Sequence, residues 1–126
     1  MKLLVIDDSR TMRMLIRDAI KGFLSSPADM SEAKEGEEAL RMLASGPGLP
    51  DLILADWKMS GMDGLAFLKK VRSQESTKTL PVIMISSQSQ STDKAEAMAA
   101  GATDYILKPF EAKMLQERIE ALFKKT

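Results

Sequence analysis

Residues 51–64 read DLILADWKMSGMDG. Leu52 to Ala55 form an apolar run that breaks off at one carboxylate, Asp56, and a glycine-containing turn with a second carboxylate, Asp63, follows. Four residues are too few for a helix. A short continuous apolar run bounded by turn residues reads instead as a strand buried on both faces. An acid has no place in the middle of such a strand, so Asp56 belongs at its end, on the rim of a sheet.

Working outward, LLVI at 3–6, VIMI at 82–85 and YIL at 105–107 repeat the pattern, and ADMSEA at 28–33 is a weaker strand suited to an edge. Each gap between these runs holds a helical pattern. Met12, Leu15, Ile16, Ala19, Ile20 and Phe23 follow i, i+3, i+4, i+7 spacing behind a capping Ser9. Ala39, Leu40, Leu43 and Ala44 make a second helix; Gly64, Phe67, Leu68 and Val71 a third. Ala95, Met98 and Ala99 make a fourth with little bulk, and Ala112, Leu115, Ile119, Leu122 and Phe123 a fifth. Ser25-Ser26-Pro27, Gly46-Pro47-Gly48 and the polar SQESTKT at 73–79 separate them. Alternating strands and helices with right-handed crossovers predict an α/β, doubly wound, five-stranded parallel sheet with helices on both faces.

Length and composition fit one domain over residues 1–126, with 44% apolar and 29% charged residues. Lysine plus arginine equals aspartate plus glutamate, 18 each, so no overall field favours nucleic acid or a membrane surface. The chain has no cysteine and no histidine. Thiolate metal sites and the commonest general base are therefore excluded, and any metal must be a hard, oxygen-seeking ion. MKLLVIDD offers only four apolar residues in a row, too few for a signal peptide or a membrane span, and predicts a cytoplasmic protein.

Open α/β sheets bind ligands beyond the carboxyl ends of their strands. Asp7 and Asp8 follow the first strand, Asp56 the third, Ser86 and Ser87 the fourth, and Lys108-Pro109 the fifth. Singly, each has a plainer reading. Asp7-Asp8 suits a turn before a helix cap, Asp63 a cap on the third helix, Ser86 and Ser87 ordinary loop polarity, and Lys108 a solvated charge. Trp57 and Tyr105 suit anchoring roles, and the ten methionines suit core filling. Their conjunction at one sheet edge carries more meaning. Three crowded carboxylates need protons or a cation, and octahedral magnesium held by carboxylates and water answers the need. A magnesium ion beside a lysine and a hydroxyl suits a phosphoryl group, which makes Asp56 a candidate nucleophile forming an acyl phosphate.

The stretches VIDDSRTMR (5–13), LILADWKMSGMDG (52–64), LPVIMIS (80–86) and GATDYILKPF (101–110) together resemble the receiver domain of two-component response regulators. The likeness covers the whole chain and is greatest to the stand-alone chemotaxis (CheY-like) type. It implies the flavodoxin-like strand order 2-1-3-4-5, which comes with the resemblance and not from the spacing. It also implies that Asp56 takes a phosphoryl group from the phosphohistidine of a histidine kinase. Asp8 and Asp56 would ligate Mg2+ directly, Asp7 through water, and the backbone carbonyl of Lys58 would complete the protein ligands. Lys108 would pair with phosphoryl oxygens across a cis Lys108-Pro109 bond. Ser86 would bond the phosphoryl group and move inward, and Tyr105 would fill the vacated space. That motion would alter the face made by the fourth helix, fifth strand and fifth helix, where a downstream protein docks.

Some positions depart from the family pattern. Ser60 stands where proline is common, and Lys58 and Gln88 occupy positions that influence loss of phosphate. The resemblance implies no output domain, no direct contact with nucleic acid or membrane, and chemotaxis as the pathway. A phosphate sink or a different phosphorelay is the alternative. Two other classes share parts of the pattern. An aspartyl phosphatase of haloacid-dehalogenase type needs an acid two residues past the nucleophile, where this chain has Lys58. A flavodoxin-like flavin carrier needs a hydroxyl- and glycine-rich loop after the first strand, where this chain has acids.

Overall fold

The computed structural model describes residues 1–45, 48–58, 61–87 and 91–123, with backbone alone at 91 and 92. Ser60 and Gln88 lie outside the described residues. The elements run β1 (Leu3–Ile6), α1 (Arg10–Ile20), β2 (Met30–Ala33), α2 (Gly36–Ser45), β3 (Leu52–Asp56), α3 (Gly64–Ser73), β4 (Val82–Ser86), α4 (Ser91–Ala99), β5 (Asp104–Leu107) and α5 (Ala112–Phe123). All strand pairs are parallel, in the order β2-β1-β3-β4-β5. The chain reverses direction across the sheet between β1 and β3, so their carboxyl ends flank the crevice where such folds hold ligands.

Side chains alternate along each strand, and the alternation divides the core in two. Leu4, Ile6, Ile53, Ala55, Val82 and Met84 pack on one side with Phe67, Leu68 and Val71 of α3. Leu3, Val5, Leu52, Leu54, Ile83, Ile85 and Ile106 pack on the other with Ile16 and Ile20 of α1 and Leu115 and Ile119 of α5. Burying both faces of the three central strands accounts for their uninterrupted apolar runs, each large aliphatic side chain stabilising by roughly 1.5–3 kcal/mol. Met30 and Met84 are buried and Met12, Met42, Met62 and Met114 half-buried against the core, whereas Met14 and Met98 are exposed.

Local signals explain most boundaries. Ser9 Oγ accepts from Met12 N at 3.1 Å and starts α1. Asp63 Oδ1 accepts from Ala66 N at 2.8 Å and starts α3. Gln116 of α5 donates to Ala19 O at 2.8 Å, satisfying a carbonyl near the end of α1 that has no partner within the helix.

Five boundaries differ from expectation. The first helix stops at Ile20 and not at Phe23, because Lys21–Phe23 around Gly22 tighten into a 3-10 turn. The second strand begins at Met30 and not at residue 28. Pro27–Asp29 form a 3-10 turn in which the Asp29 carboxylate accepts from the amides of Ser25 and Ser26. Those turn bonds outcompete a strand ladder locally. The third and fourth strands each run one residue further than their apolar runs, taking in Asp56 and Ser86, and the fifth begins one earlier at Asp104. Among the described residues no helix is long and apolar enough to cross a membrane.

Candidate functional site

Asp7 follows β1, and Asp56 and Ser86 end β3 and β4. Strand alternation sorts the site as it sorts the core. Asp7 and Asp56 continue the rows of Val5 and Leu54 on the α1 side, and Lys108 continues the row of Ile106. Ser86 continues the row of Met84 toward α3, the side on which Trp57 and Tyr105 also pack. The rim therefore carries a charged half and a hydroxyl-aromatic half, joined through β3 and β4.

The charged half is tightly connected. Asp7 is 1% exposed. Its Oδ1 accepts from Ser9 N at 2.8 Å and its Oδ2 from Lys108 Nζ at 3.1 Å. Lys108 Nζ lies 3.2 Å from Asp56 Oδ1 as well, so one ammonium bridges both buried acids. Lys108 is itself held in place, since its amide donates to Ser86 O at 2.8 Å and its peptide bond to Pro109 is cis. Asp8 is exposed. Burial, followed by repulsion from Asp7, holds the Asp56 carboxyl above the usual carboxylate range, and Lys108 offsets part of the rise.

In the other half, Tyr105 is buried at 6% exposure and meets Trp57 edge to face, with ring centroids 6.1 Å apart at 84°. Ser86 hydrogen-bonds the Tyr105 hydroxyl. Burial raises the phenol's pKa, the Ser86 bond lowers it in part, and nearby Asp93 raises it again.

The turn after β3 folds back over Asp56. Gly64 N donates to Trp57 O at 2.8 Å, and a Cβ on Gly64 would lie 2.0 Å from Asp56 O. Only glycine allows that approach. Gly36 N at the start of α2 donates to Met62 O at 3.2 Å and ties the same turn to α2. Lys58 is exposed on this turn, while Asp63 serves α3 as its cap and stands outside the cluster.

Asp7, Asp8 and Asp56 each offer a carboxylate oxygen within 4.8 Å of the others. Lys108 bridges two of the three acids, and all three offer oxygen donors. The residues fit a hard divalent cation.

Sequence reading missed Arg13, which is 8% exposed although charged. The available signal was its spacing, since Arg13, Ile16 and Ile20 fall on one face of α1. It also missed Arg72, whose guanidinium donates to Gly101 O at 2.8 Å and Leu80 O at 2.6 Å. That side chain braces the turn before β5, where Gly101 has a φ of 106°.

Residues 3–120 match the response regulator receiver domain family. The chain belongs to that family. It is 39% identical to the chemotaxis protein CheY of Pseudomonas aeruginosa, covering 99% of this chain and 98% of that one. It is 38% identical to CheY-3 of Vibrio cholerae over 99% of this chain and 93% of that one. Among solved structures, the chemotaxis protein CheY4 of Vibrio cholerae superposes with a TM-score of 0.84 at 29% identity, covering 97% and 98% of the two chains. As a receiver domain, the protein is a phosphoacceptor whose family signals from a histidine kinase to a downstream target.

Proposed function

We propose that Asp56 is the phosphoacceptor, and that the protein is a chemotaxis-type response regulator acting by protein contact and not by turnover. The bridging of Asp7 and Asp56 by the single ammonium of Lys108 is the observation that most supports this reading. An Asp56 carboxylate oxygen attacks the phosphorus of a phosphohistidine. The P–N bond breaks, its electron pair returns to the imidazole, and an acyl phosphate remains on Asp56. Lys108 Nζ, already 3.2 Å from Oδ1, follows the charge onto the phosphoryl oxygens as a charge-assisted donor.

Asp8, Asp56 and the Lys58 carbonyl would hold magnesium, with Asp7 behind them through water. Bound there, the ion would neutralise the acids and the incoming phosphoryl oxygens.

Switching follows from the hydroxyl count. Ser86 has one O–H to donate. A phosphoryl group on Asp56 and the Tyr105 hydroxyl would compete for that one O–H. With its O–H turned to the phosphoryl group, Ser86 would keep the Tyr105 hydroxyl only by accepting from it, so the existing contact would persist with Tyr105 as the donor. The effect reaches the face made by α4, β5 and α5, on which Met98 and Leu107 are exposed and where we place the downstream partner. A phosphoryl group shifts the population only by its differential affinity for the two arrangements.

Lys58 occupies the position where an aspartyl phosphatase needs an acid, which supports an acceptor over an enzyme. The likeness to the chemotaxis protein CheY supports a cytoplasmic setting. The experiment is transfer from a purified phosphohistidine kinase in Mg2+, followed by capture of partners with beryllofluoride-treated and untreated protein. Stoichiometric labelling and a beryllofluoride-dependent partner are expected. Continuous turnover of small phosphomonoesters, or no transfer from any phosphohistidine donor, would overturn the reading.

A further inference from the structure

Charged side chains are seldom buried unless something pairs with them, and Arg13 is buried on the inner stripe of α1. Its Nε donates to Glu32 Oε1 at 2.9 Å, and its Nη1 donates to the main-chain carbonyl of Asp7 at 2.6 Å. Glu32 stands on edge strand β2, in register with Val5 of β1, and also takes Arg17 Nη2 at 3.0 Å. Both arginines thus donate to Glu32, and Arg13 alone also donates to the peptide that joins Asp7 to Asp8.

That peptide is where the cluster needs support. The amide of Asp7 is held by Ala33 O at 3.1 Å, and its carboxylate by Ser9 and Lys108. Asp8 is exposed, so burial does little to aim it. Peptide groups are planar. Fixing the direction of the Asp7 carbonyl therefore fixes the Asp8 amide and the starting point of the Asp8 side chain. A guanidinium suits this task, because its fork reaches the carbonyl and Glu32 together and remains charged at all working pH values.

We infer that Arg13 is a positioning residue of the acid site: by clamping the Asp7–Asp8 peptide it sets how tightly the three carboxylates hold a divalent cation. This rests on the reading that the acids take such a cation. The plainer account makes Arg13 only a partner that stabilises Glu32 on β2.

Calorimetric titration with Mg2+ separates the two accounts, with urea unfolding in EDTA as the stability control. Arg13→Met is expected to weaken Mg2+ binding by about 10-fold, the lower end for groups that orient metal ligands. Glu32→Gln keeps the clamp on Asp7 and is expected to lower the urea midpoint while leaving Mg2+ affinity within about twofold. Arg13→Lys keeps the charge but not the fork and should fall between; it decides the matter alone if Arg13→Met does not fold. In the metal-free protein the Asp8 amide resonance should move in both Arg13 variants and not in Glu32→Gln. Wild-type affinity in the folded Arg13 variants, or equal loss in Glu32→Gln, would overturn the inference. Absence of Mg2+ binding in the wild type would instead overturn the cation reading beneath it.

Discussion

Lys108 Nζ and Asp56 Oδ1 lie 3.2 Å apart at the ends of two strands that are not neighbours, with β4 between them. The same Nζ holds Asp7, so this lysine is a counter-charge shared by both buried acids. Lys108→Met should leave two buried acids without it and lower stability in EDTA by about 1–3 kcal/mol. Saturating Mg2+ should recover most of the loss, and phosphoryl uptake should slow more than 10-fold in the same variant. Urea midpoints with and without Mg2+, beside single-turnover phosphorylation rates, check this.

The raised pKa of Asp56 makes it a destabilising group when ionised. An acid whose pKa is higher in the folded than in the unfolded chain stabilises below the unfolded value, and that contribution is lost as pH rises through the folded value. Asp56→Asn should therefore raise stability in EDTA at pH 7 by roughly 0.5–2 kcal/mol. The advantage should vanish as pH falls below the ordinary carboxylate range. Saturating Mg2+ should shrink or reverse it, since the wild type gains binding free energy that the variant lacks. Thermal or urea unfolding across pH in both conditions measures it.

The sheet, the helices and the rim were legible because their signals are local: apolar runs of strand length, helical periodicity, and acids at run ends. Ser9 and Asp63 announced their caps in the same way. What escaped notice required pairing across the chain. Arg13 looks like one more polar residue of α1 until Glu32 arrives beside it on β2. The division of the rim into an Asp7-Asp56-Lys108 half and a Ser86-Tyr105-Trp57 half follows from strand parity, but only once the strands are in register. The 3-10 turn at Pro27–Asp29 was hidden because residues 28–33 also read as an edge strand, and the bonds from the amides of Ser25 and Ser26 to the Asp29 carboxylate decide between the two.

Gly64→Ala places a methyl group against Asp56 O and 3.0 Å from Met84 Cε. The turn must shift to admit it, at roughly 1–3 kcal/mol, and phosphoryl uptake at Asp56 should fall with it. Gly22→Ala is the control, since nothing lies within 4 Å of its added carbon. It should be neutral or slightly stabilising through lower unfolded-chain entropy. Denaturation midpoints of the two variants should separate clearly.

Tyr105→Phe keeps the edge contact with Trp57 and loses the bond to Ser86, for about 0.5–1.5 kcal/mol of stability. It should accept phosphate at the wild-type rate yet bind beryllofluoride-dependent partners less tightly. Because burial raises the phenol's pKa, the stability that Tyr105 contributes through its neutral form is lost as pH rises through the folded value. Its ultraviolet titration in the native protein should lie at higher pH than in the denatured chain.

Of the three carboxylates, Asp56 alone is expected to receive the phosphoryl group. Borohydride reduction of freshly phosphorylated protein converts an aspartyl phosphate to homoserine, and peptide mapping locates it. Homoserine at position 56, absent after EDTA and absent in Asp56→Asn, is the expected result. Homoserine at position 7 or 8 in the wild type, or equal phosphate uptake by Asp56→Asn, would rule Asp56 out as the acceptor.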